Sequence, residues 1–386
     1  MRIAYVTTFD ARNLTINNNW SGTGYYIAQS LANQFSTLDY IGPLTDPFNL
    51  KAVRKLKNHY YKLFQNKDYR KDADPLTLKN YARQVAKKMN CIKSDIVFSA
   101  TVNPIAYLEC EQPIVFWADG TFANIHNFYP HYSNLPQEVI KDWHRMEELA
   151  LQKCKLAIYS SDWAAKSAIY NYGANPTKVK VVPFGANIES SFTFETIQDA
   201  IQSRPTDQCK LLFIAVDWIR KGGNVAYQVA KQLNQSGLKT ELTIVGCQPM
   251  IDEPLPDFVK SLGFISKSTV EGKKQIHNLI SESHFLILPT LADCTPIVFC
   301  EANSLGVPCL STTVGGIPTM IQNDVNGRLF HKNAAISEYC DYIAYLFSNY
   351  SDYRNLAIAA FNEYQSRLNW SVAGKKVKNL LTEYIV

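Results

Sequence analysis

The chain has 386 residues, of which 46% are hydrophobic and 19% are charged, the composition of an ordinary soluble globular protein. This length exceeds one typical hydrophobic core and predicts two domains, and the sequence contains no run of about 18 apolar residues that would predict a transmembrane helix. The net charge is +5, but residues 51–93 contain thirteen Lys and Arg against three Asp, so this segment carries +10 and the remainder −5.

The N-terminal sequence and the cysteines indicate a cytoplasmic protein. The first six residues enter a strand-like run directly, without a signal-peptide pattern. Nine cysteines are scattered without a C-x-x-C pair or a His/Cys cluster, which predicts neither a disulfide framework nor a zinc site. The one Asp-x-Asp pattern, Asp72 to Asp74, precedes Pro75 and is interpreted as a turn.

Short apolar strands alternate with amphipathic segments of helical length, a pattern typical of α/β proteins with parallel sheets. The predicted strands lie near residues 2–8, 38–42, 95–100, 113–118, 155–160, 179–184, 210–216, 240–246, 285–289 and 307–311. The predicted helices lie near residues 23–35, 50–64, 76–90, 136–153, 162–172, 223–236, 270–282, 296–305, 316–322, 334–348, 352–367 and 371–384. A polar connector at 189–208, with a short helix at 194–202, separates the halves. Two doubly wound domains joined in this way would form a cleft lined by the loops that follow the strands.

Two loops in the first half carry candidate ligand-binding residues. Gly22 and Gly24 follow the first strand and precede a helix, where glycines let the backbone approach a ligand and the helix start offers N–H donors. A pair of turn glycines explains the same pattern. Asp119 follows the strand at 113–118, at the strand end where α/β proteins bind ligands, although an Asp that caps a loop is the structural alternative.

The second half contains a pattern suited to phosphate. Arg220 and Lys221 precede two glycines between a strand and a helix, and their cationic side chains suit a diphosphate, or else form a solvated pair. Asp293 follows the strand at 285–288, and Glu301 lies eight positions later inside a helix that has Pro296 in its first turn. The N–H groups near residues 295–298 are donors without intrahelical partners. The alternative is an ordinary strand, loop and helix with two solvated carboxylates.

These residues carry a family resemblance. Asp293 and Glu301, followed by Ala302, Gly306, Pro308 and the Gly315-Gly316 pair, resemble the E-x7-E signature of retaining family-4 glycosyltransferases of the GT-B fold, with Asp in place of the first Glu. Lys221 and Gly222 match the second part of a Gly-Arg, Lys-Gly pattern in that family, whereas its Gly-Arg pair and a histidine common near position 119 are replaced here.

The resemblance implies a fold and a division of the chain. The fold class would be α/β, with two Rossmann-like doubly wound domains that face a cleft and a C-terminal helix that crosses back to the N-terminal domain. The implied domains are residues 1–190 on the acceptor side, residues 207–365 for the nucleotide-sugar, and residues 366–386 for the returning helix.

The resemblance also implies an activity. The protein would transfer a sugar from a nucleoside-diphosphate sugar to a glycan, lipid or small-molecule acceptor, with retention of anomeric configuration and without a metal or other cofactor. The implied catalytic residues are Asp119, Arg220, Lys221 and Asp293. The implied donor-binding residues are Gly22, Gly24, Gly246, Phe264, Ile265, Thr295, Pro296, Ile297 and Glu301. Phe264 suits the hydrophobic core as well as a contact with the nucleotide base.

Other functions remain open. A non-catalytic nucleotide-sugar or glycan-binding GT-B protein would explain the replaced histidine and Gly-Arg pair, and a nucleotide-sugar epimerase would need no acceptor. A retaining glycoside hydrolase needs two carboxylates about 5 Å apart, for which Asp119 and Asp293 are the candidates, but it leaves Arg220 and Lys221 unexplained.

The basic segment needs an explanation of its own. Between residues 50 and 64, apolar residues recur at helical spacing with lysines and arginine between them. Such a helix could lie on a membrane, or it could pack its apolar face on the domain with its lysines in solvent. We expect residues 51–93 to face an anionic acceptor or the cytoplasmic surface of a membrane, and we expect no nucleic acid.

Overall fold

Two six-stranded parallel sheets organise the chain, one in each of two compact units. A computed structural model describes residues 1–14, 20–188 and 192–385. The first unit comprises residues 1–183 and 373–386, and the second comprises residues 184–372. The predicted parallel α/β architecture is confirmed. The predicted domain boundaries at residues 190, 207 and 365 remain a prediction.

The first unit contains a sheet in the order β2-β1-β3-β4-β5-β6. Its strands are β1 Arg2–Val6, β2 Thr37–Ile41, β3 Ile96–Ser99, β4 Ile114–Ala118, β5 Leu156–Tyr159 and β6 Val179–Val181. Its helices are α1 Thr23–Ala32, α2 Phe48–Gln65, α3 Pro75–Met89, α4 Phe122–Ile125, α5 Gln137–Lys153, α6 Asp162–Tyr172 and, from residue 373 onward, α14 Trp370–Tyr384. Every residue of β3, β4 and β5 is buried, as expected of parallel strands that helices cover on both faces.

The second unit contains a sheet in the order β12-β11-β10-β7-β8-β9. Its strands are β7 Cys209–Ile214, β8 Thr240–Val245, β9 Val259–Ser261, β10 Phe285–Leu288, β11 Cys309–Thr312 and β12 Gly327–Phe330. Its helices are α7 Phe194–Gln202, α8 Gly223–Gln235, α9 Val270–Ser281, α10 Ile297–Asn303, α11 Ile317–Met320, α12 Ile336–Ser348 and α13 Tyr350–Arg367. The four apolar residues of β10 are completely buried between β7 and β11, so this strand lies at the centre of the core.

Three elements were missed from the sequence. Strands β9 and β12 each lie at an edge of the second sheet and are too short and polar to give an apolar run. Helix α4 is a single turn of four residues.

The segment predicted as a polar connector packs in the second unit instead. Helix α7 has the predicted bounds, and its Ile197 and Ile201 are buried in the core of that unit. The first residues of the predicted connector, 189–191, lie outside the described part of the chain. None of the helices in the described ranges combines the length and apolar character needed to cross a membrane.

Candidate functional site

The predicted donor-site residues of the second half lie at one edge of the second sheet. In parallel strands all carboxyl ends meet at the same edge, where α/β proteins bind ligands. The loop after β7 carries Arg220 and Lys221, and the loop after β10 carries Asp293. Because β7 and β10 are neighbouring strands, the sheet places these two loops side by side.

Close backbone packing joins the two loops. Gly222 has φ +79°, and a Cβ at this position would lie 2.0 Å from the carbonyl oxygen of Pro289. A Cβ on Gly223 would lie 2.2 Å from the ring of Trp218, which is buried. Glycine is therefore required at position 222, because a side chain there would push the loop after β7 away from the loop after β10, and at position 223, because a side chain there would displace Trp218 within the loop after β7.

Hydrogen bonds from Arg220 fix the same contact. Its carbonyl oxygen accepts from the Leu291 N–H at 2.8 Å and from the Thr290 hydroxyl at 3.0 Å. Its guanidinium donates to the carbonyl of Ala292 at 2.9 Å. Backbone and side chain of Arg220 thus hold the loop that carries Asp293.

Two cations converge on one carboxylate at this edge. The ammonium of Lys221 forms an ion pair with Oδ2 of Asp293, and Nη1 of Arg220 lies 3.9 Å from the same oxygen. Nε of Arg220 also lies 3.3 Å from Asp217. The side chains of Lys221 and Asp293 are 14% and 11% exposed, so the pair is largely buried but still reaches solvent.

Glu301 has a partner that the sequence reasoning missed. Its side chain, almost fully buried in α10, accepts from the ammonium of Lys267. Lys267 follows β9, the short edge strand that gives no apolar run, so nothing in the sequence placed this lysine beside the helix. The edge therefore has two Lys–carboxylate pairs.

Helix α10 begins one residue later than predicted. Pro296 has ψ 104° and is the N-cap, so the first helical residue is Ile297 and the prediction of a first-turn proline is wrong. The first N–H groups of any helix lack intrahelical acceptors, and those of α10 follow directly after Thr295. The carbonyl of Asp293 accepts from the N–H of Gly316 at 3.3 Å, which ties this segment to the start of α11.

The loops after β8 and β9 complete this edge. The N–H of Gly246 donates to the carbonyl of Gly263 at 2.8 Å. Ile265 is partly buried against the core, whereas Phe264 is 73% exposed. The interpretation of Phe264 as a core residue is therefore wrong, because the turn at Gly263 directs this side chain to solvent.

The remaining candidates lie in the first unit. Gly22 caps α1, and the carbonyl of Gly24 accepts from the buried Tyr5 hydroxyl at 2.8 Å. Asp119 follows β4, at the carboxyl edge of the first sheet. Strands β1 and β4 are separated in that sheet by β3 alone, so both candidate loops lie at one edge.

Buried groups hold the segment that follows Asp119. The N–H of Phe122 donates to Oε1 of Glu147 at 3.1 Å, and that of Ala123 donates to the Tyr172 hydroxyl at 3.0 Å. Thr121 caps α4, and its hydroxyl oxygen lies 2.7 Å from the hydroxyl oxygen of Ser167 on α6, within hydrogen-bonding distance. Side chains of helices α5 and α6 thus hold the segment after Asp119 in place.

Glu147 is neutral in this environment. Complete burial raises its pKa to about 8, and the single N–H bond from Phe122 only partly opposes the effect of burial. Its Oε2 has no hydrogen-bond partner in the described part of the chain. A protonated carboxyl group explains both observations, since a charged oxygen without a partner would be costly here.

Comparisons with known proteins identify a family and relatives with similar sequences. A family profile described as "Glycosyl transferases group 1" matches residues 194–363. An Escherichia coli UDP-Gal:alpha-D-GlcNAc-diphosphoundecaprenol alpha-1,3-galactosyltransferase is 19% identical over 218 residues, 54% of this chain and 55% of that protein. A D-inositol 3-phosphate glycosyltransferase of Nocardiopsis dassonvillei is 24% identical over 254 residues, covering 62% and 58%. The chain thus spans little more than half the length of these two curated relatives.

Solved structures match over nearly the whole chain. The sucrose-phosphate synthase of Thermosynechococcus elongatus has a TM-score of 0.69 at 14% identity and covers 99% of this chain and 98% of its own. Anabaena HepE in complex with UDP and glucose has a TM-score of 0.62 at 15% identity, covering 99% of both chains. These similarities confirm the GT-B fold class, and the profile confirms the resemblance to group 1 glycosyl transferases.

The protonation of Glu147 predicts a specific pH dependence of stability. The folded state keeps the proton up to about pH 8, whereas the unfolded chain releases it near its usual pKa of about 4.3. The stability that the folded protein gains from the proton on Glu147 is complete below about pH 4.3 and is lost as pH rises through about 8. Glu147→Gln keeps an acceptor for Phe122 without titrating, so its free energy of unfolding should improve relative to wild type between pH 5 and about 8.

Urea unfolding at several pH values measures this difference. Glu148→Gln, which changes a partly exposed carboxylate on the same helix, is the matched control. Parallel pH profiles for wild type and Glu147→Gln would show that Glu147 is charged in the folded protein.

Proposed function

We propose that this protein transfers a sugar from a nucleoside-diphosphate sugar to an acceptor, with retention of anomeric configuration and without a bound metal. The observation that carries the proposal is the convergence of Arg220 and Lys221 on Asp293 at the carboxyl edge of the second sheet. This edge lies within the residues that match the group 1 glycosyl transferases. The HepE structures with UDP and with UDP-glucose support a nucleotide-sugar as donor.

The proposed reaction must stabilise two developing charges. The departing diphosphate gains negative charge, for which the cations of Arg220 and Lys221 and the N–H groups at the start of α10 are suitable partners. The sugar becomes cationic and resembles an oxocarbenium ion. A carboxylate beside it, Asp293, would hold a hydroxyl group and orient the ring.

The ion pairs of the site suggest how the donor binds. Lys221 is paired with Asp293, so a diphosphate must compete with this carboxylate for the ammonium. Once Lys221 turns to phosphate, Asp293 becomes available to the sugar. In the second pair, Glu301 would accept hydrogen bonds from the ribose hydroxyls while Lys267 balances its buried charge.

The other residues have proposed roles at the same donor. Gly246, Phe264 and Ile265 would border the nucleotide base, and exposed Phe264 offers an aromatic face for stacking. In the first unit, Gly22, Gly24 and Asp119 keep the roles that the family resemblance implies for them. We place the reaction in the cytoplasm, with an anionic acceptor or membrane surface facing residues 51–93.

A donor must be identified before kinetics can be measured. A thermal-shift panel of nucleoside-diphosphate sugars identifies it, because a ligand that binds the folded state raises the melting temperature. Binding without turnover would favour the non-catalytic alternative, and a changed sugar in the absence of acceptor would favour an epimerase. Inversion of the anomeric configuration in the product would contradict the proposed stereochemistry.

Lys221→Ala should lower kcat/KM by at least about tenfold, because it removes a cation from the leaving diphosphate. The matched control is Lys239→Ala, which changes an exposed lysine just before β8, at the opposite edge of the same sheet. Initial rates at several donor concentrations give the comparison. Unchanged kinetics in Lys221→Ala would remove this lysine from the site.

The two carboxylates should separate binding from transfer. Glu301→Gln should weaken affinity for the nucleoside diphosphate, because the amide is a poorer acceptor for ribose hydroxyls. Asp293→Asn should retain or strengthen that affinity, since it frees Lys221, but should lower the transfer rate. Calorimetric titration and single-turnover rates of both variants decide the point, and equal affinity losses would contradict the assignment.

Transfer should continue in excess EDTA. Arg220 and Lys221 supply the positive charge that a divalent ion would otherwise bring to the diphosphate. The metal dependence is measured by comparing transfer rates before chelation, after chelation, and after magnesium or manganese is added back. Loss of activity in EDTA with recovery on adding either metal would show that the reaction depends on a metal.

A further inference from the structure

Helix α2 exposes most of its large apolar side chains to solvent. Phe48 is 85% exposed, Leu56 71%, Leu63 64% and Phe64 70%. The buried residues of this helix are Leu50, Arg54 and Tyr61. The alternative interpretation, in which this apolar face packs on the domain, is therefore wrong.

Polar contacts explain why the helix packs in this orientation. Nη1 of Arg54 lies 2.9 Å from Asp46, and the ammonium of Lys57 lies 2.7 Å from buried Asp74, which caps α3. The hydroxyl of buried Tyr61 donates to a glutamate of α5. These partners belong to the domain, so they fix the side of α2 that carries Arg54, Lys57 and Tyr61 inward and leave the opposite side outward.

The outward face has two parallel rows. One row contains residues spaced by three and four, which lie on one side of a helix: Phe48, Ala52, Leu56, His59 and Leu63. The second row, with the same spacing, runs beside it and contains Lys51, Lys55, Asn58 and Lys62. The helix contains no Asp or Glu, so no carboxylate of its own balances these lysines.

This combination selects among the partners that could cover the face. A contiguous apolar surface of this kind marks an interaction site. A neutral apolar partner would satisfy the first row and leave three lysines unmatched. An anionic lipid surface satisfies both rows, with apolar side chains at the boundary of headgroups and acyl chains and ammonium groups at the phosphates.

We propose that α2 is a docking surface for a bilayer that contains anionic lipid. It binds in the plane of the membrane through Phe48, Leu56 and Leu63 and through Lys51, Lys55 and Lys62. Arg54 and Lys57, although basic, do not take part, because both are paired within the domain. This inference goes beyond the transfer reaction and does not depend on the donor site.

Flotation of the full chain with vesicles tests the proposal without donor or acceptor. Vesicles of phosphatidylcholine alone are compared with vesicles of phosphatidylcholine and phosphatidylglycerol, at low and high salt. Wild type should bind the mixed vesicles at low salt, lose much of this binding at high salt, and bind neutral vesicles weakly.

Two triple variants test the two rows separately. Replacing Lys51, Lys55 and Lys62 by Gln should lower the partition coefficient by about 100-fold, since each basic residue near an anionic surface contributes about a fivefold gain. Replacing Phe48, Leu56 and Leu63 by Ser should lower it at least about tenfold, because their apolar area no longer leaves water.

Matched controls use exposed residues elsewhere in the first unit. Tyr170→Ser changes an aromatic residue that is 81% exposed on α6, and Lys141→Gln with Lys166→Gln removes exposed charges from α5 and α6. Both controls should bind as wild type does. Because every changed residue is exposed, melting temperatures should stay close to that of wild type.

Three results would overturn the proposal. Equal or negligible binding to both vesicle types at low salt would exclude an anionic bilayer. Binding that survives both triple variants would assign it to another surface. Concentration-dependent self-association that the Ser variants abolish, without vesicle binding, would make a second copy of the chain the occupant.

Discussion

The close approach of Gly222 to Pro289 is the constraint on which the proposed donor site depends. A carbon atom on Gly222 would lie 2.0 Å from a carbonyl oxygen, so only glycine lets the loops after β7 and β10 meet. Their contact brings Lys221 to Asp293 and lets the Arg220 side chain reach the carbonyl of Ala292. The charges are thus placed by backbone packing between two neighbouring parallel strands, and a larger residue at 222 would separate them.

A buried arginine supports the far end of α10. Arg204 donates to the carbonyls of Leu305 and Gly306, just beyond this helix, and to that of Ser281, the last residue of α9. Carbonyls at helix C-termini carry partial negative charge and lack intrahelical donors, so they satisfy a cation that is almost completely buried. The helix that carries Glu301 is therefore anchored at its end, while its start faces the proposed phosphates.

The sequence predicted those parts of the fold in which burial leaves a continuous apolar run. The residues of β4 and β10 are apolar throughout because helices cover both faces of each sheet, and both strands were found. Edge strand β9 has no such run and was missed. The position of Lys267, which follows β9 and pairs with Glu301, therefore could not be predicted from the sequence. The orientation of α2 was equally inaccessible, since it depends on Asp46, Asp74 and other partners outside the helix.

The transfer reaction proposed above requires the carboxyl edge of the second sheet to bind a nucleoside diphosphate. Hydrogen–deuterium exchange of wild-type protein, with and without each of several nucleoside diphosphates, tests this claim directly, since bound segments open less often. At least one of these nucleoside diphosphates should slow exchange in residues 217–223 and 293–301. Saturating binding that protects neither segment would contradict the proposal.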